Sequence, residues 1–577
     1  MVAPSIFGPH AQRRRDYLTI PTRMSDPPLP HYSQLLDAQT SRPYSLTADP
    51  STWGVANLMP DYREPDDRLH YPDWRRDRGK DMGGSIATCR GLTNLGCVVL
   101  LSVLIVALFA GYPIATALTK TAQSRNGGKR LTSTPGFNLG GINGTGQVPM
   151  MQGNWGPIDP DTPEDVRIKT GWTSEGEFTL VFSDEFNTDY RTFYPGDDPF
   201  WEAVDLHYWG TNNLEWYDPE AITTKDGALR ITLSQKPDHG LDYMGGMLTT
   251  WNKFCFTGGI VEVAVQLPGA SDISGLWPAI WSMGNLGRAG YGATLDGLWP
   301  YSYDSCDVGT MPNQTKGGLP LAATQDGDTS YGGALSYQSG QRLSRCTCPG
   351  SVHPGPMHAD GTHVGRAAPE IDLFEGEIID ATLGGQVSQS CQWAPFNHAY
   401  EWLNDTGDSM QVYDPDISAM NGYKGGVYQQ ATSVVTQTNY ACYELEFGCF
   451  AVYGFEYVPG FDDAKAWTLR QSGLAEDPLV EIGPRPIPQE PMYLIMNLGM
   501  SENFGEVDLD HLTFPTTMSI DYVRVYQPSD KINIGCDPPG FPTSAYIDQF
   551  YEAYTVRKLC TDSLWTDGKL HSYRIPT

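Results

Sequence analysis

No charged residue stands between Arg90 and Lys120, and the heart of that gap begins Leu95-Gly96-Cys97-Val98-Val99-Leu100-Leu101-Ser102-Val103-Leu104-Ile105-Val106-Ala107-Leu108-Phe109-Ala110 and runs on to Leu118. As a helix, a stretch of that length crosses a hydrocarbon core of about 30 Å. A buried core helix is the competing reading, but so long an uncharged run fits a bilayer better. It starts too deep in the chain, and its apolar core is too long, for a cleaved signal peptide, so it reads as an uncleaved signal anchor. The chain then divides into a tail over 1–94, a span over 95–118, a linker over 119–160 and a folded domain over 161–577.

The flanking charges do not orient the span. Arg75, Arg76, Arg78, Lys80 and Arg90 precede it, and Lys120, Arg125, Lys129 and Arg130 follow it, so the positive-inside rule has no clear majority to count. The glycosylation sequons at Asn143, Asn313 and Asn404 all follow the span, and such acceptors are used on the lumenal side. Of eleven cysteines, only Cys89 and Cys97 lie before or within it. The other nine suit an oxidising lumen, and their odd number leaves at least one thiol unpaired or bonded to another chain. The expectation is a single-pass type II membrane protein of the secretory pathway or plasma membrane, its carboxy-terminal domain lumenal or extracellular.

The tail is rich in Pro, Ser, Asp and Arg with no sustained apolar period, the composition of a cytoplasmic segment too polar to fold. Its 12 Lys and Arg nearly balance its 11 Asp and Glu, so almost all of the formal charge of −30 lies beyond it. That surplus repels a phosphate backbone and argues against nucleic acid as a partner.

Beyond the linker, short β-type runs are punctuated by Gly, Asp and Pro: Phe178–Phe182, Ala228–Leu233 and Gly259–Val265. Alternation at this spacing predicts an all-β jelly-roll sandwich. Within it stands Ala368-Pro369-Glu370-Ile371-Asp372-Leu373-Phe374-Glu375-Gly376-Glu377. On a regular strand Glu370 and Asp372 share a face, and Glu375, an odd step away, falls on the other. A β-bulge at Leu373-Phe374 returns Glu375 to their side, and bulges are frequent beside active sites.

Three carboxyls crowded in one cleft drive their pKa values apart. One remains a carboxylate and another stays protonated, as retaining glycoside chemistry requires. Glu370 is the candidate nucleophile and Glu375 the candidate acid/base, with Asp372 bonding to Glu370 and tuning its charge. A solvated acidic edge strand is the alternative, opposed by the interleaved Ile371, Leu373 and Phe374, which read as buried.

Glu370-Ile371-Asp372-Leu373-Phe374-Glu375 resembles the catalytic signature of glycoside hydrolase family 16, the laminarinase-like β-glucanases and transglycosylases. The flanking chain is more similar to a fungal subgroup, the membrane-anchored proteins associated with β-1,6-glucan synthesis. Ser183-Asp184-Glu185-Phe186 and Ile520–Tyr526 resemble the family's first and last strands, so the likeness spans about 165–526. It implies a glucan cleft containing Asn212, from an Asn-rich segment, Trp277 and Trp281, from a tryptophan-bearing strand, and Asn497. A Trp platform beside amide side chains suits a sugar's apolar face and hydroxyl edge.

Two features depart from a plain laminarinase. A long Gly-rich insertion between Trp281 and Glu370 carries Gly297-Leu298-Trp299-Pro300-Tyr301 and Cys306, Cys346 and Cys348, and a tail from about 527 carries Cys536 and Cys560. Cys346-Thr347-Cys348 lacks a set of partners at ligand spacing, so disulfides are expected rather than a metal; no cofactor is implied.

The resemblance thus implies a membrane-anchored retaining hydrolase or transglycosylase of fungal wall β-glucan, whose covalent intermediate is resolved by water or by another sugar, the motif alone not fixing which. Its partners are β-glucan polysaccharide and, through one helix, membrane lipid. A non-catalytic glucan-binding scaffold is the alternative, since fold does not imply function.

Overall fold

Alternating apolar runs close into two stacked sheets in the computed structural model, which describes residues 156–172, 176–295, 298–300, 352–379, 384–395, 412–426, 428–460 and 485–555, with a few isolated positions besides. The strands are β1 (Ile168–Thr170), β2 (Glu177–Asp184), β3 (Glu202–Ala203), β4 (Leu206–His207), β5 (Glu215–Tyr217), β6 (Ile222–Lys225), β7 (Ala228–Leu233), β8 (Tyr243–Thr249), β9 (Gly259–Gln266), β10 (Trp277–Gly284), β11 (Glu370–Glu377), β12 (Gln386–Trp393), β13 (Ser418–Met420), β14 (Gln430–Gln437), β15 (Ala451–Tyr457), β16 (Met492–Gly499) and β17 (Thr516–Pro528).

One sheet is built on β17. It pairs β9 along one edge and, on the other, β7 and then β2; β15, β6 and β1 extend the rows. The second sheet runs β13-β14-β12-β11-β10-β16-β8-β5-β4, with β3 also on β8. Its pairings are antiparallel except β5 with β8.

The main core lies between the sheets. Val261, Val263 and Val265 of β9, with Ile520, Val523 and Val525 of β17, join one buried cluster with Ile371 and Leu373 of β11 and Leu494, Met496 and Leu498 of β16. Burying each such side chain stabilises the fold by about 1.5–3 kcal/mol. Strand β16 is buried on both faces: its alternate residues Tyr493 and Ile495 enter a second cluster with Met247, Trp281, Tyr217 and Tyr554. That is why it reads as a nearly continuous apolar run rather than an alternating one.

Ser183-Asp184-Glu185-Phe186 holds the two ends of the domain together. Asp184 accepts from Arg191 Nη1 at 2.7 Å, and Glu185 accepts from Arg524 Nε at 2.9 Å and Nη2 at 2.8 Å. Removing one member of such a buried pair leaves a charge uncompensated.

The carboxy-terminal extension packs back on the sandwich. Cys536 is bonded to Cys255, Tyr554 Oη donates to the Leu286 carbonyl at 2.6 Å, and its ring stacks on Trp251. A second disulfide joins Cys442 to Cys449; Cys391 is a buried free thiol.

Several expectations fall outside the described residues: the tail, the span over 95–118, the sequons at Asn143, Asn313 and Asn404, and Cys306, Cys346, Cys348 and Cys560. Among the described residues no helix is long and apolar enough to cross a membrane.

Candidate active site

Strand β11 carries the bulge that its sequence demands. Asp372 lies opposite Ser390 and Glu375 opposite Ser388, so three steps along β11 match two along β12. On the other edge, Ile280 faces Phe374 while Trp281 faces Asp372. Leu373 and Phe374 are both fully buried in the core between the sheets. Glu370, Asp372 and Glu375 consequently line one cleft.

Each carboxyl has its own donor. Trp299 Nε1 donates to Glu370 Oε2, and Trp277 Nε1 donates to Glu375 Oε1 at 3.1 Å. Asp372 Oδ2 accepts from Ser390 Oγ at 2.6 Å and from Gln392 Nε2 at 2.7 Å. Glu370 and Glu375 keep part of their surface open to the cleft, whereas Asp372 is buried.

Burial is the main force raising all three pKa values. For Glu370 the charges of Asp372 and then Glu375 add to it, and for Glu375 the charge of Asp372 does. Asp372 is raised by burial and eased back by Ser390, Gln392 and Glu370. Burial and mutual repulsion thus favour the protonated form of each carboxyl over its ordinary behaviour in water.

The opposite wall is a closed polar network under an aromatic lining. Trp281 Nε1 donates to Asn497 Oδ1 at 2.8 Å, and Asn497 Nδ2 donates to Tyr217 Oη at 3.2 Å. Asn213 Nδ2 donates to the same Oη at 3.0 Å and to Glu215 Oε1 at 2.7 Å. Met500 N donates to Glu215 Oε2 at 2.9 Å. Glu215 is fully buried, and that burial pushes its carboxyl up to about 7 against the pull of these donors.

Gly499 makes this network possible. A Cβ there would meet Glu215 Oε1 at 2.4 Å, Asn213 Nδ2 at 2.8 Å and Tyr217 Oη at 2.8 Å.

Of the residues singled out in the sequence, the cleft gathers Glu370, Asp372, Glu375, Trp277, Trp281 and Asn497. Trp281 is mostly buried; Trp277 is partly exposed and stacks on Phe504 at 4.1 Å between ring centroids. Asn212 is a correction. It caps a short 3-10 turn at φ 56°, a left-handed conformation that Asn tolerates, and its side chain is exposed. Its neighbour Asn213 lines the cleft instead.

Sequence reasoning also passed over Tyr208, Tyr217, Gln392, Gln429 and Trp299 as cleft residues. Only Trp299, in the aromatic run of the insertion, and Asn213 and Tyr217, in the Asn-rich segment, carried any signal.

The family model of the beta-glucan synthesis-associated proteins SKN1/KRE6/Sbg1 matches residues 56–576. The chain is 41% identical over 522 residues to the beta-glucan synthesis-associated protein SKN1 of Candida albicans, covering 86% of this chain and 65% of that protein. It is 40% identical over 529 residues to KRE6 of Saccharomyces cerevisiae, covering 89% and 68%. The chain thus spans about two thirds of the length of these relatives. A solved structure, the catalytic domain of an endo-1,3-beta-glucanase (laminarinase) from Thermotoga petrophila, aligns with 61% of this chain and 98% of that one at 18% identity and a TM-score of 0.32. With nearly all of its length beyond the first part of the tail matched, the chain belongs to the SKN1/KRE6/Sbg1 family of beta-glucan synthesis-associated proteins.

Proposed function

We propose that this protein is a retaining β-glucan hydrolase or transglycosylase that works in the biosynthesis and remodelling of fungal cell-wall β-glucan, with β-1,6-glucan as the product it serves. The observation that carries the reading is the bulge in β11, which sets Glu370, Asp372 and Glu375 on one cleft face with a separate donor for each. The association of its relatives with β-glucan synthesis supports the choice of polymer.

In this reading Glu370 attacks the anomeric carbon, forming a glycosyl ester while the bond to the leaving oxygen breaks. Glu375 gives that oxygen its proton. Water or a sugar hydroxyl then attacks the same carbon, losing its proton to Glu375 and releasing Glu370 as a carboxylate. Asp372, held by Ser390 and Gln392 on the same face, positions and tunes the nucleophile, and Trp299 steadies the Glu370 anion.

Incubating the protein with defined β-1,3- and β-1,6-glucan oligomers and sizing the products tests the reading. Shortened or lengthened oligomers from wild type, and neither from Glu370→Gln, are the expected result. Oligomers left unchanged by wild type, yet bound, would support a glucan-binding scaffold instead.

The same proposal places the domain over 161–577 on the lumenal or outer side of a span at 95–118, as a type II membrane protein. Deglycosylation should raise gel mobility through Asn143, Asn313 or Asn404. Protease access to the domain from the cytosol would refute this topology.

A further inference from the structure

The insertion between β10 and β11 returns to the sheet through a hairpin with two imidazoles at its mouth. Met357 pairs with His363 across it, His358 N donates to the Thr362 carbonyl at 2.7 Å, and Val364 N donates to the Pro356 carbonyl at 3.1 Å. The half-buried rings of His353 and His363 stack, with 4.2 Å between centroids and 20° between planes.

His353 can take a second proton only by giving up a bond. Its Nδ1 accepts from Gly355 N at 2.8 Å, so the proton of the neutral ring sits on Nε2. A further proton would go to Nδ1, displace the Gly355 N–H and set positive charge against His363 and near Arg366. Burial first, and then those two neighbours, push His353 down to about 4 against a bond to the Val364 backbone. The hairpin's remaining titratable groups are His358 and Asp360, and Asp360 is turned to Thr362.

From Gly355 a line of hydrogen bonds runs toward the candidate nucleophile. The Gly355 carbonyl accepts from Arg366 Nη1 at 2.7 Å, and the same Nη1 donates to the Pro542 carbonyl at 2.6 Å. Arg366 is buried, and its Nε and Nη2 donate to Glu490 at 2.8 Å and 2.9 Å. Glu490 also accepts from Ala367 N at 3.2 Å, and Tyr554 feels the charges of both Arg366 and Glu490. Ala368 N donates to the Leu298 carbonyl at 2.9 Å, beside Trp299, whose Nε1 donates to Glu370. The hairpin thus braces both limbs of the insertion that carry Glu370 and its donor.

We infer that His353 and His363 form a proton-operated latch: neutral, they hold the return limb of the insertion against Arg366 and Glu490, and protonated, they release it and withdraw support from Glu370 and Trp299. The latch itself does not depend on the retaining reading; its effect on turnover does. His353 charges more readily when free, near 6.5, than when latched, so the latch holds fully above about pH 6.5 and loosens as the pH falls toward about 4.

Hydrogen exchange read by mass spectrometry on the full-length protein, corrected for the intrinsic exchange rate at each pH, tests the latch. Between pH 7 and pH 5 the protection of residues 353–369 should fall about twentyfold in wild type while that of β16 stays in place. His353→Asn keeps an acceptor for Gly355 N and cannot be protonated, so its change should stay within about twofold. His363→Phe keeps a stacked ring without the charge and should change by at most about tenfold, which keeps the inference testable if His353→Asn fails to fold.

Protection of 353–369 unmoved by pH in wild type, β16 losing protection in parallel, or the full wild-type loss in either folded variant overturns the latch. On a β-glucan oligomer, the ratio of kcat at pH 5 to kcat at pH 7 should be about threefold or more higher in His353→Asn than in wild type. Equal ratios overturn the latch as a control on turnover, whereas no turnover by wild type at either pH overturns the retaining reading and leaves the exchange result to decide the latch.

Discussion

Gly499→Ala should be among the most damaging single-methyl additions in the domain. The new Cβ would stand 2.4 Å from Glu215 Oε1 and 2.8 Å from both Asn213 Nδ2 and Tyr217 Oη. None of these can retreat freely, because Glu215 also accepts from Met500 N and Tyr217 also accepts from Asn497. Overpacking of this kind costs about 1–3 kcal/mol. Displacing the Glu215 carboxyl further weakens hydrogen bonds worth about 1.5–3 kcal/mol each when an ionised group takes part. A total of about 3–5 kcal/mol follows, a large share of a typical domain's stability.

Gly505→Ala is the matched control, since a Cβ there meets nothing within 4 Å. Urea unfolding followed by tryptophan fluorescence should separate the two by at least about 2 kcal/mol, beyond the error of extrapolation. Combining Gly499→Ala with Glu215→Ala should cost less than the sum of the two, because the first clash is then absent. If Gly499→Ala melts with the control, the network is not the rigid wall described here.

Three further outcomes follow from the same geometry. Glu215 binds a proton more tightly folded than unfolded, so its contribution to stability is complete below about pH 4.5 and is lost as the pH rises through about 7; urea midpoints across that window should fall in wild type and fall less in Glu215→Gln. Trp299→Phe removes the donor that favours the Glu370 carboxylate, so the acid limb of the pH–rate profile should move to higher pH while the basic limb, set by Glu375, stays in place. Cys536→Ser opens a bond between residues 281 apart in sequence and should destabilise the fold by about 2–4 kcal/mol, measured as a lower urea midpoint.

The β11 site was legible because its spacing and its chemistry pointed to the same correction: an odd step to Glu375, and two adjacent apolar residues able to absorb it. Both Leu373 and Phe374 turn inward, as that correction requires. The Asn-rich segment was read one residue off. Whether Asn212 or Asn213 faces the cleft depends on a single left-handed residue, and the sequence pattern is the same either way. Gln392, Ser390 and Glu215 were not legible at all, because their roles arise from cross-strand register between segments far apart in the chain. Ser183-Asp184-Glu185-Phe186 was recognised only as strand sequence; its acidic residues serve buried ion pairs that no local pattern announces.

The central claim is that Glu370 and Glu375 do unequal chemical work. Turnover of a β-glucan oligomer and of a 4-nitrophenyl donor should be compared in Glu370→Gln and Glu375→Gln, with thermal melting of each. Glu370→Gln should lose both activities, since no ester can form. Glu375→Gln should lose about 10²–10⁴-fold on the oligomer but far less on the nitrophenyl donor, whose leaving group needs little protonation. Equal losses on both substrates in folded Glu375→Gln protein, or wild-type turnover by Glu370→Gln, would contradict the account.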